Sequence, residues 1–187
     1  MSSKTIPIGE WLLSLRQAAD DLLHTSLRFE KDAAAEAAER SGGKRAPARG
    51  KAAAPKKSGP RAAATPASAD EQHGAYIAVL GEANAMHLGL TTSPDGCRAL
   101  ARGLLGMRST EELSEKDAVD GVSEVMNIIA GKVKSTMSDR DHSLRLGMPI
   151  FMQQPIQVRE GLERVEADVM IGPVPCTLMV FRMKQAA

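Results

Sequence analysis

The sequence predicts an α+β fold in which about three helices pack against one mostly antiparallel sheet of about five or six strands. The helices are indicated by residues 117–137 and 8–30, where apolar residues recur at the period of an amphipathic helix. The sheet is indicated by residues 164–171, which alternate apolar and charged side chains as a half-buried strand does. Short apolar runs joined by tight turns favour antiparallel pairing of neighbouring strands.

The first helix is predicted over residues 8–30. Its apolar stripe has to be covered by the rest of the domain, because an amphipathic helix is stabilised mainly by burial of its apolar face. The stripe consists of Trp11, Leu15, Ala18, Leu22 and Phe29, and it is broadened by Leu12, Ala19 and Leu23.

The predicted domain organisation has three parts: the N-terminal helix (1–31), a basic Ala/Pro/Lys-rich insert (32–71) and the remainder of the same domain (72–187). Residues 41–69 contain Lys and Arg but no acid, so they carry +7, and a net charge of +1 for the whole chain leaves −6 for the rest. With no aromatic or branched apolar residue, this segment is expected to be a disordered tether. Basic runs can hold nucleic acid or anionic lipid weakly, but the lack of aromatics disfavours nucleic acid as a partner.

Turn chemistry predicts the next elements. Two apolar runs, 76–81 and 85–91, flank a short polar turn and indicate a hairpin, in which Asn84 can adopt a positive φ. Ser93 is then a predicted N-cap, followed by a first-turn proline and an acid at the positive end of a helix. This second helix should end near Gly106.

The C-terminal part is predicted to complete the sheet. Residues 143–156 are extended but interrupted by Pro149, which is typical of an edge or a bent strand. Residues 164–171 form the alternating strand, 172–175 a turn, and 176–183 the last strand.

Composition excludes several classes of protein and site. No apolar run reaches the ~18 residues of a membrane span, and no signal-peptide pattern opens the chain, so we expect a cytoplasmic protein without membrane insertion. Cys97 and Cys176 are expected to be reduced and buried. No metal site is expected, because the histidines share no ligand spacing, and no nucleophile–base pair or glycine-rich phosphate loop is present. The histidines are His24, His73, His87 and His142.

The helix predicted at 117–137 organises the rest. Opposite its apolar stripe runs a second, polar stripe in which Gly131 costs about 1 kcal/mol of helix stability and therefore needs a reason. One interpretation is an ordinary solvated face with an incidental glycine. The other is a face that a second surface approaches closely. The stripe consists of Lys116, Asp120, Glu124, Asn127, Gly131 and Lys134.

The run Asp120-x-x-x-Glu124-x-x-Asn127, followed by Ile129-Ala130-Gly131 and later by Pro149, resembles the signature of the CheC/CheX/FliY chemotaxis phosphatase family. The chain is most similar to the CheX-like members, and the resemblance spans the helices and strands on both sides of the insert. It implies the CheC/CheX-like fold, a mostly antiparallel six-stranded sheet packed against long helices.

Two further comparisons with the family pattern refine the resemblance. Lys132 replaces an asparagine that these proteins often carry after the Ala-Gly pair. Glu10 on the first helix is followed by Leu13 where a second motif would need asparagine, so one active motif is expected.

The resemblance implies a phosphatase that hydrolyses the phospho-aspartate of a phosphorylated CheY-type response regulator. Asn127 would orient the attacking water, and Glu124 would pair with the receiver's active-site lysine. Asp120, Gly131 and Pro149 would be supporting residues. The protein would need no cofactor of its own, because Mg²⁺ is expected on the partner receiver. CheX-like members also join their sheets, which implies a homodimer.

Two alternatives remain open from the sequence. The fold could bind a receiver without hydrolysing anything, or it could serve only as a dimerisation module localised by the basic insert. Release of phosphate from a phosphorylated receiver would distinguish the first alternative from the phosphatase. The sequence does not name the receiver or the motility or signalling output.

Overall fold

Three helices pack on one face of a six-stranded antiparallel sheet in the computed structural model, which describes residues 5–29, 72–154 and 161–184. The α+β fold predicted from the sequence is confirmed. The insert predicted at 32–71, with its basic stretch 41–69, lies outside the described residues.

The helices are α1 (Ile8–Thr25), α2 (Pro94–Leu105) and α3 (Glu115–Met137). The predicted cap of α2 is confirmed, because Ser93 Oγ accepts a hydrogen bond from the Gly96 backbone N–H and Gly106 ends the helix with a φ of 66°. The N-cap of α3 is Ser114, whose Oγ accepts from the Asp117 backbone N–H.

The predicted C-terminal boundary of the first helix was wrong. Helix α1 ends at Thr25, where the backbone N–H groups of Ser26 and Leu27 both bond to the Leu22 carbonyl and close the helix. Phe29 therefore does not extend the helical stripe. Its ring instead lies against Gly103 of α2, where an added Cβ would be 3.0 Å from the ring.

The strands are β1 (His73–Leu80), β2 (Ala85–Thr92), β3 (Arg145–Leu146), β4 (Ile150–Met152), β5 (Leu162–Ile171) and β6 (Val174–Met183). Their order is β3-β1-β2-β6-β5, and β4 pairs with β1 farther along the same edge.

The predicted strands are present, but several of their bounds differ. Strand β1 begins at His73 rather than at residue 76, and β5 and β6 each begin two residues earlier than predicted. The described part of the stretch predicted as extended, 143–156, contains only the short strands β3 and β4. Pro149 separates β3 from β4, as the prediction of a bent edge required. The turn predicted at 172–175 is shorter, because Val174 and Pro175 already pair with Ile171 and Met170. A two-residue connection with Gly172 at a φ of 60° suffices.

The core lies between the sheet and the helices. Each helix contributes fully buried apolar residues, among them Trp11 of α1, Leu100 of α2 and Val125 of α3. The alternation predicted for 164–171 is confirmed, since Val165, Ala167, Val169 and Ile171 are more covered than the charged residues between them. Burial of the apolar faces of α3 and β1 against each other holds this helix on the sheet.

A buried polar cluster joins three chain segments at the C-terminal end of α3. Asn84 accepts a hydrogen bond from the Ile6 backbone N–H and donates one to Asp141 Oδ2, both at 2.8 Å. The other oxygen of Asp141 accepts from the backbone N–H and the hydroxyl of Ser143. Asn84 is thus a buried connector of the N-terminal segment to the sheet, beyond the turn role predicted for it.

Candidate functional site

Helix α3 presents one buried and one open face. The predicted apolar stripe is buried, and Val122, Val125, Met126, Ile129 and Val133 have no exposed surface. Because these residues repeat every three or four positions, the polar residues between them are directed away from the core. The face that carries the candidate site is therefore a convex helix surface.

Glu124 and Asn127 contact each other on that face. Asn127 Nδ2 donates a hydrogen bond to Glu124 Oε2 at 3.3 Å. Glu124 is exposed and Asn127 is half-buried. The Asn127 side-chain carbonyl and one Glu124 oxygen have no protein partner within the described residues. Two acceptors and a spare amide hydrogen are thus available to an incoming group.

Gly131 leaves open space one turn beyond Asn127. A Cβ added at Gly131 would meet nothing within 4 Å, whereas one added at Gly121 of the same helix would lie 2.6 Å from Ala101 Cβ. Gly121 is explained by the close packing of α2 on α3. Packing within the described residues does not explain Gly131, which agrees with a face that another molecule approaches.

Charge pairing around the site leaves two groups unneutralised. Asp120 pairs with Lys116 at 2.6 Å, and Lys132 pairs with Asp21 of α1 at 3.4 Å. Glu124 and Lys134 make no ion pair with any residue that the structure describes. The hydrogen bond and charge of Asp120 raise the pKa of Lys116.

The predicted site residues do not all come together. Glu124, Asn127 and Gly131 share the open face, and Asp120 lies one turn before Glu124 with its carboxylate occupied by Lys116. Pro149 lies in the sheet edge between β3 and β4, both of which pack against α3. Pro149 is thus placed in the sheet edge and is not part of the open face of α3.

Sequence reasoning missed the partner of Lys132. Asp21 is 111 positions away, and only the antiparallel packing of α1 along α3 brings the two together. A second pair, Glu10 with Arg140, connects the other end of α1 to the segment after α3. No periodicity in the sequence could have found these pairs, because they depend on how the two helices cross.

Other chemistry is not supported within the described residues. No group of three or more His, Cys, Asp or Glu side chains there could hold a metal ion. Cys97 and Cys176 are free and buried, and burial raises the pKa of each thiol to about 12, which makes both poor nucleophiles. The three helices of this part are too short or too polar to serve as membrane spans.

Concave surface is found elsewhere in the molecule. A pocket of about 310 Å³ is lined by residues 81–87, from the β1–β2 connection and the start of β2, and by residues 182–184 at the end of β6, with none from α3. Small-molecule substrates usually bind in concave, largely apolar pockets. A convex face carrying Glu124 and Asn127 instead fits a site that is completed by a macromolecular partner.

Three solved structures share the fold. They are CheX from Vibrio vulnificus (TM-score 0.59, 13% identity, 95% of this chain and 100% of that chain covered), the CheX–CheY–BeF3–Mg²⁺ complex from Borrelia burgdorferi (0.56, 11%, 96% and 99%) and a CheC-like superfamily protein from Shewanella sp. PV-4 (0.54, 15%, 94% and 96%). At these identities the likeness concerns the fold.

The sequence itself carries the family assignment. No curated protein matches the chain. The family model described as chemotaxis phosphatase CheX matches residues 74–167, half of the 187-residue chain, and that range contains all of α3 and Pro149. The CheX-like membership expected from the motif is confirmed: the chain belongs to the CheX family of chemotaxis phosphatases.

Proposed function

We propose that the protein hydrolyses the phospho-aspartate of a CheY-type receiver domain. The observation that carries the proposal is the pair Glu124–Asn127, an uncompensated carboxylate and a carboxamide on an open convex face beside Gly131. The pocket found among the described residues takes no residue from α3. In this proposal the partner therefore presents the phosphoryl group to the open face of the helix.

Glu124 is the docking residue in this proposal. Its carboxylate has no cation within the described residues, whereas its neighbour Asp120 already has Lys116. A lysine ammonium of the receiver would complete the pair and set the register of α3 in the receiver's active site. A charge-assisted hydrogen bond of this kind is roughly twice as strong as a neutral one.

Asn127 is the catalytic residue. Its carboxamide can donate to and accept from one water molecule, and so can orient that water in line with the P–O bond. The water oxygen attacks phosphorus as the bond between phosphorus and the aspartyl oxygen breaks. The aspartyl carboxylate leaves, and the water protons stay on the inorganic phosphate, which gives up a proton to solvent after release. Phosphoryl transfer requires little covalent chemistry from the protein, so positioning supplies most of the rate.

The receiver supplies the remaining groups. Mg²⁺ held by the receiver neutralises charge on the phosphoryl oxygens, and this protein contributes no metal ligand to the reaction. The Borrelia burgdorferi CheX of the same fold is seen with CheY, BeF3 and Mg²⁺, which supports a receiver as the partner. Asp120 pairs with Lys116 one turn before Glu124, Pro149 lies between the edge strands that pack against α3, and Gly131 leaves room for the receiver surface.

The protein is further proposed to act as a homodimer in the cytoplasm, where CheY-type receivers are found. Strand β5 pairs only with β6 and is the long edge of the described sheet. Strand β6 lies inside the sheet between β2 and β5, so β5 is the long strand with an unpaired side. An unpaired ten-residue edge strand is a template for pairing with a second copy.

The test is phosphate release. CheY-type receivers from the same genome are phosphorylated with acetyl phosphate, and the excess acetyl phosphate is then removed. Loss of the phosphoryl group from each receiver is measured with and without catalytic amounts of this protein. Accelerated decay of one receiver supports the phosphatase. Tight binding of a beryllofluoride–Mg²⁺ receiver without any acceleration would instead establish the non-catalytic binding module.

A further inference from the structure

Lys134 is an uncompensated cation in line with the catalytic residue. Asn127 and Lys134 are two helical turns apart, about 10 Å along the axis and about 20° apart around it. Lys134 forms no ion pair with any described residue, unlike the two other lysines of α3, Lys116 and Lys132. Lys132 is directed about 140° away from Asn127 around the helix and is occupied by Asp21.

The helix gives the Lys134 ammonium a path toward the site. Side chains on an α-helix lean toward the N-terminus, over the residues one turn earlier. For Lys134 that residue is Gly131, where nothing lies within 4 Å of a would-be Cβ. The surface between Asn127 and Lys134 is therefore open, so a partner docked at Asn127 can also come within reach of the Lys134 ammonium group.

Lys134 also has a purely structural reason to be present. It lies in the last turn of α3, where a cation interacts favourably with the negative end of the helix dipole. That role accounts for a positive charge near the C-terminus. It does not account for the lack of a side chain at Gly131, which leaves the space next to the lysine empty.

We propose that Lys134 is a specificity-determining docking residue that pairs with a carboxylate on the receiver surface. The inference rests on the proposed function and deepens it. The open face then carries an anion at Glu124, the water-orienting carboxamide at Asn127 and a cation at Lys134. A cognate receiver must present the opposite order, with its lysine at one end of the phospho-aspartate site and an acidic side chain beyond the other.

The experiment compares Lys134→Gln and Lys134→Glu with Lys132→Gln, a matched lysine on the same helix that already has a partner. Turnover is measured with the receiver phosphorylated by acetyl phosphate, and Kd with its beryllofluoride–Mg²⁺ form. Lys134→Gln should raise KM and Kd about two- to fivefold, the range of an exposed ion pair. Lys134→Glu should raise them more, because it places like charges together. In both variants kcat should stay unchanged.

Three readouts separate docking from a structural role. The KM effect of Lys134→Gln should shrink at high salt, Lys134→Arg should restore KM, and Lys132→Gln should leave KM unchanged. Equal effects of Lys132→Gln and Lys134→Gln, or a fall in kcat that follows a lower Tm, would overturn the proposal.

The failure of this proposal is distinguishable from failure of the phosphatase assignment. If Lys134→Gln has wild-type KM and Kd while Asn127→Ala loses turnover, Lys134 has no docking role and the phosphatase stands. If the wild-type protein accelerates dephosphorylation of no receiver, the Kd for the beryllofluoride–Mg²⁺ receiver still tests the docking role of Lys134. If it also binds no receiver, both proposals are wrong.

Discussion

Asn127 donates its side-chain amide to Glu124 across 3.3 Å, one turn apart on the open face of α3 and one turn before Gly131. The two side chains hold each other before any partner arrives. A docking group that takes over Glu124 would release the amide hydrogen of Asn127 for a water molecule. Binding and activation are then linked through one hydrogen bond.

Replacement of Asn127 by alanine is expected to abolish most turnover. The variant loses the group that positions water, so kcat should fall about 100-fold or more while the Kd for a beryllofluoride–Mg²⁺ receiver stays near the wild-type value. Single-turnover decay of the phosphorylated receiver measures the first quantity and titration the second. Ser123→Ala, at a half-buried neighbouring position, is the control. Wild-type kcat in Asn127→Ala would exclude the assigned mechanism.

Replacement of Glu124 by glutamine is expected to weaken docking more than chemistry. Glutamine keeps an oxygen for Asn127 but removes the charge, so KM should rise several-fold, by about 1 kcal/mol or more of lost charge-assisted bonding. Glu115→Gln on the same helix changes net charge equally and should leave KM unchanged. An unaltered KM and Kd in Glu124→Gln would show that the carboxylate does not meet a receiver cation.

Alanine at the two glycines of α3 should act in opposite directions. Gly131→Ala should raise the free energy of unfolding by about 1 kcal/mol, because the site is open and alanine is the better helix former. Gly121→Ala should lower it by about 1–3 kcal/mol, since its Cβ would overlap Ala101. Urea denaturation measures both.

Stability and docking should separate at Gly131. Gly131→Phe should fold with near wild-type Tm yet raise the KM for the receiver, because the ring fills space reserved for the partner. Normal KM in this variant would mean that no partner approaches the glycine.

The dimer proposal can be tested at the two sheet edges. Met170 on β5 is 54% exposed and Met148 beside β4 is 84% exposed. Met170→Lys should shift light-scattering mass at micromolar concentration toward the monomer, since charge on an edge strand opposes pairing, and Met148→Lys should not. A wild-type protein that is monomeric under these conditions contradicts the proposal directly.

The two buried thiols should make stability fall in alkaline solution. Burial raises the pKa of Cys97 and Cys176 from 9.0 to about 12. Between these values the folded state holds protons that the unfolded state has lost. Their stabilising contribution is therefore complete below about pH 9 and declines toward pH 12, by up to about 1.4 kcal/mol per pH unit for each thiol.

The matched variant for this test is the double substitution Cys97→Ala and Cys176→Ala. Urea denaturation at several pH values between 8 and about 11 should show a shallower decline of unfolding free energy in the variant than in the wild type. Parallel declines in the variant and the wild type would mean that folding does not raise the pKa of these thiols.

The fold was predictable from sequence where local chemistry decides it. The alternation at 164–171, the Ser93 cap and Gly106 each act on their immediate neighbours, so they could be interpreted without tertiary information. The end of α1 at Thr25 could not be predicted in this way, because the apolar period continues to Phe29. By that residue the chain has left the helix, and the Phe29 ring lies against α2. Tertiary packing overrode periodicity there.

The candidate site shows the same division. The spacing of Glu124, Asn127 and Gly131 on one face follows from the helical period alone. The helical period does not show which charged side chains remain unpaired, because the Lys132–Asp21 pair depends on the crossing of two helices. The position of β6 inside the sheet was equally inaccessible, since strand order is set by pairing between distant segments.

The packing of α1 has a consequence for synthesis of the chain. This helix precedes the other elements of the domain in the sequence, yet it packs against α3, β5 and β6, all of which are synthesised after it. Trp11 and Leu15 therefore stay uncovered on the ribosome until β5 and β6 have been made. Long-range contacts of this kind slow folding and expose nascent chains to aggregation, so a trigger-factor-type chaperone that shields the N-terminal helix should raise the yield of folded protein.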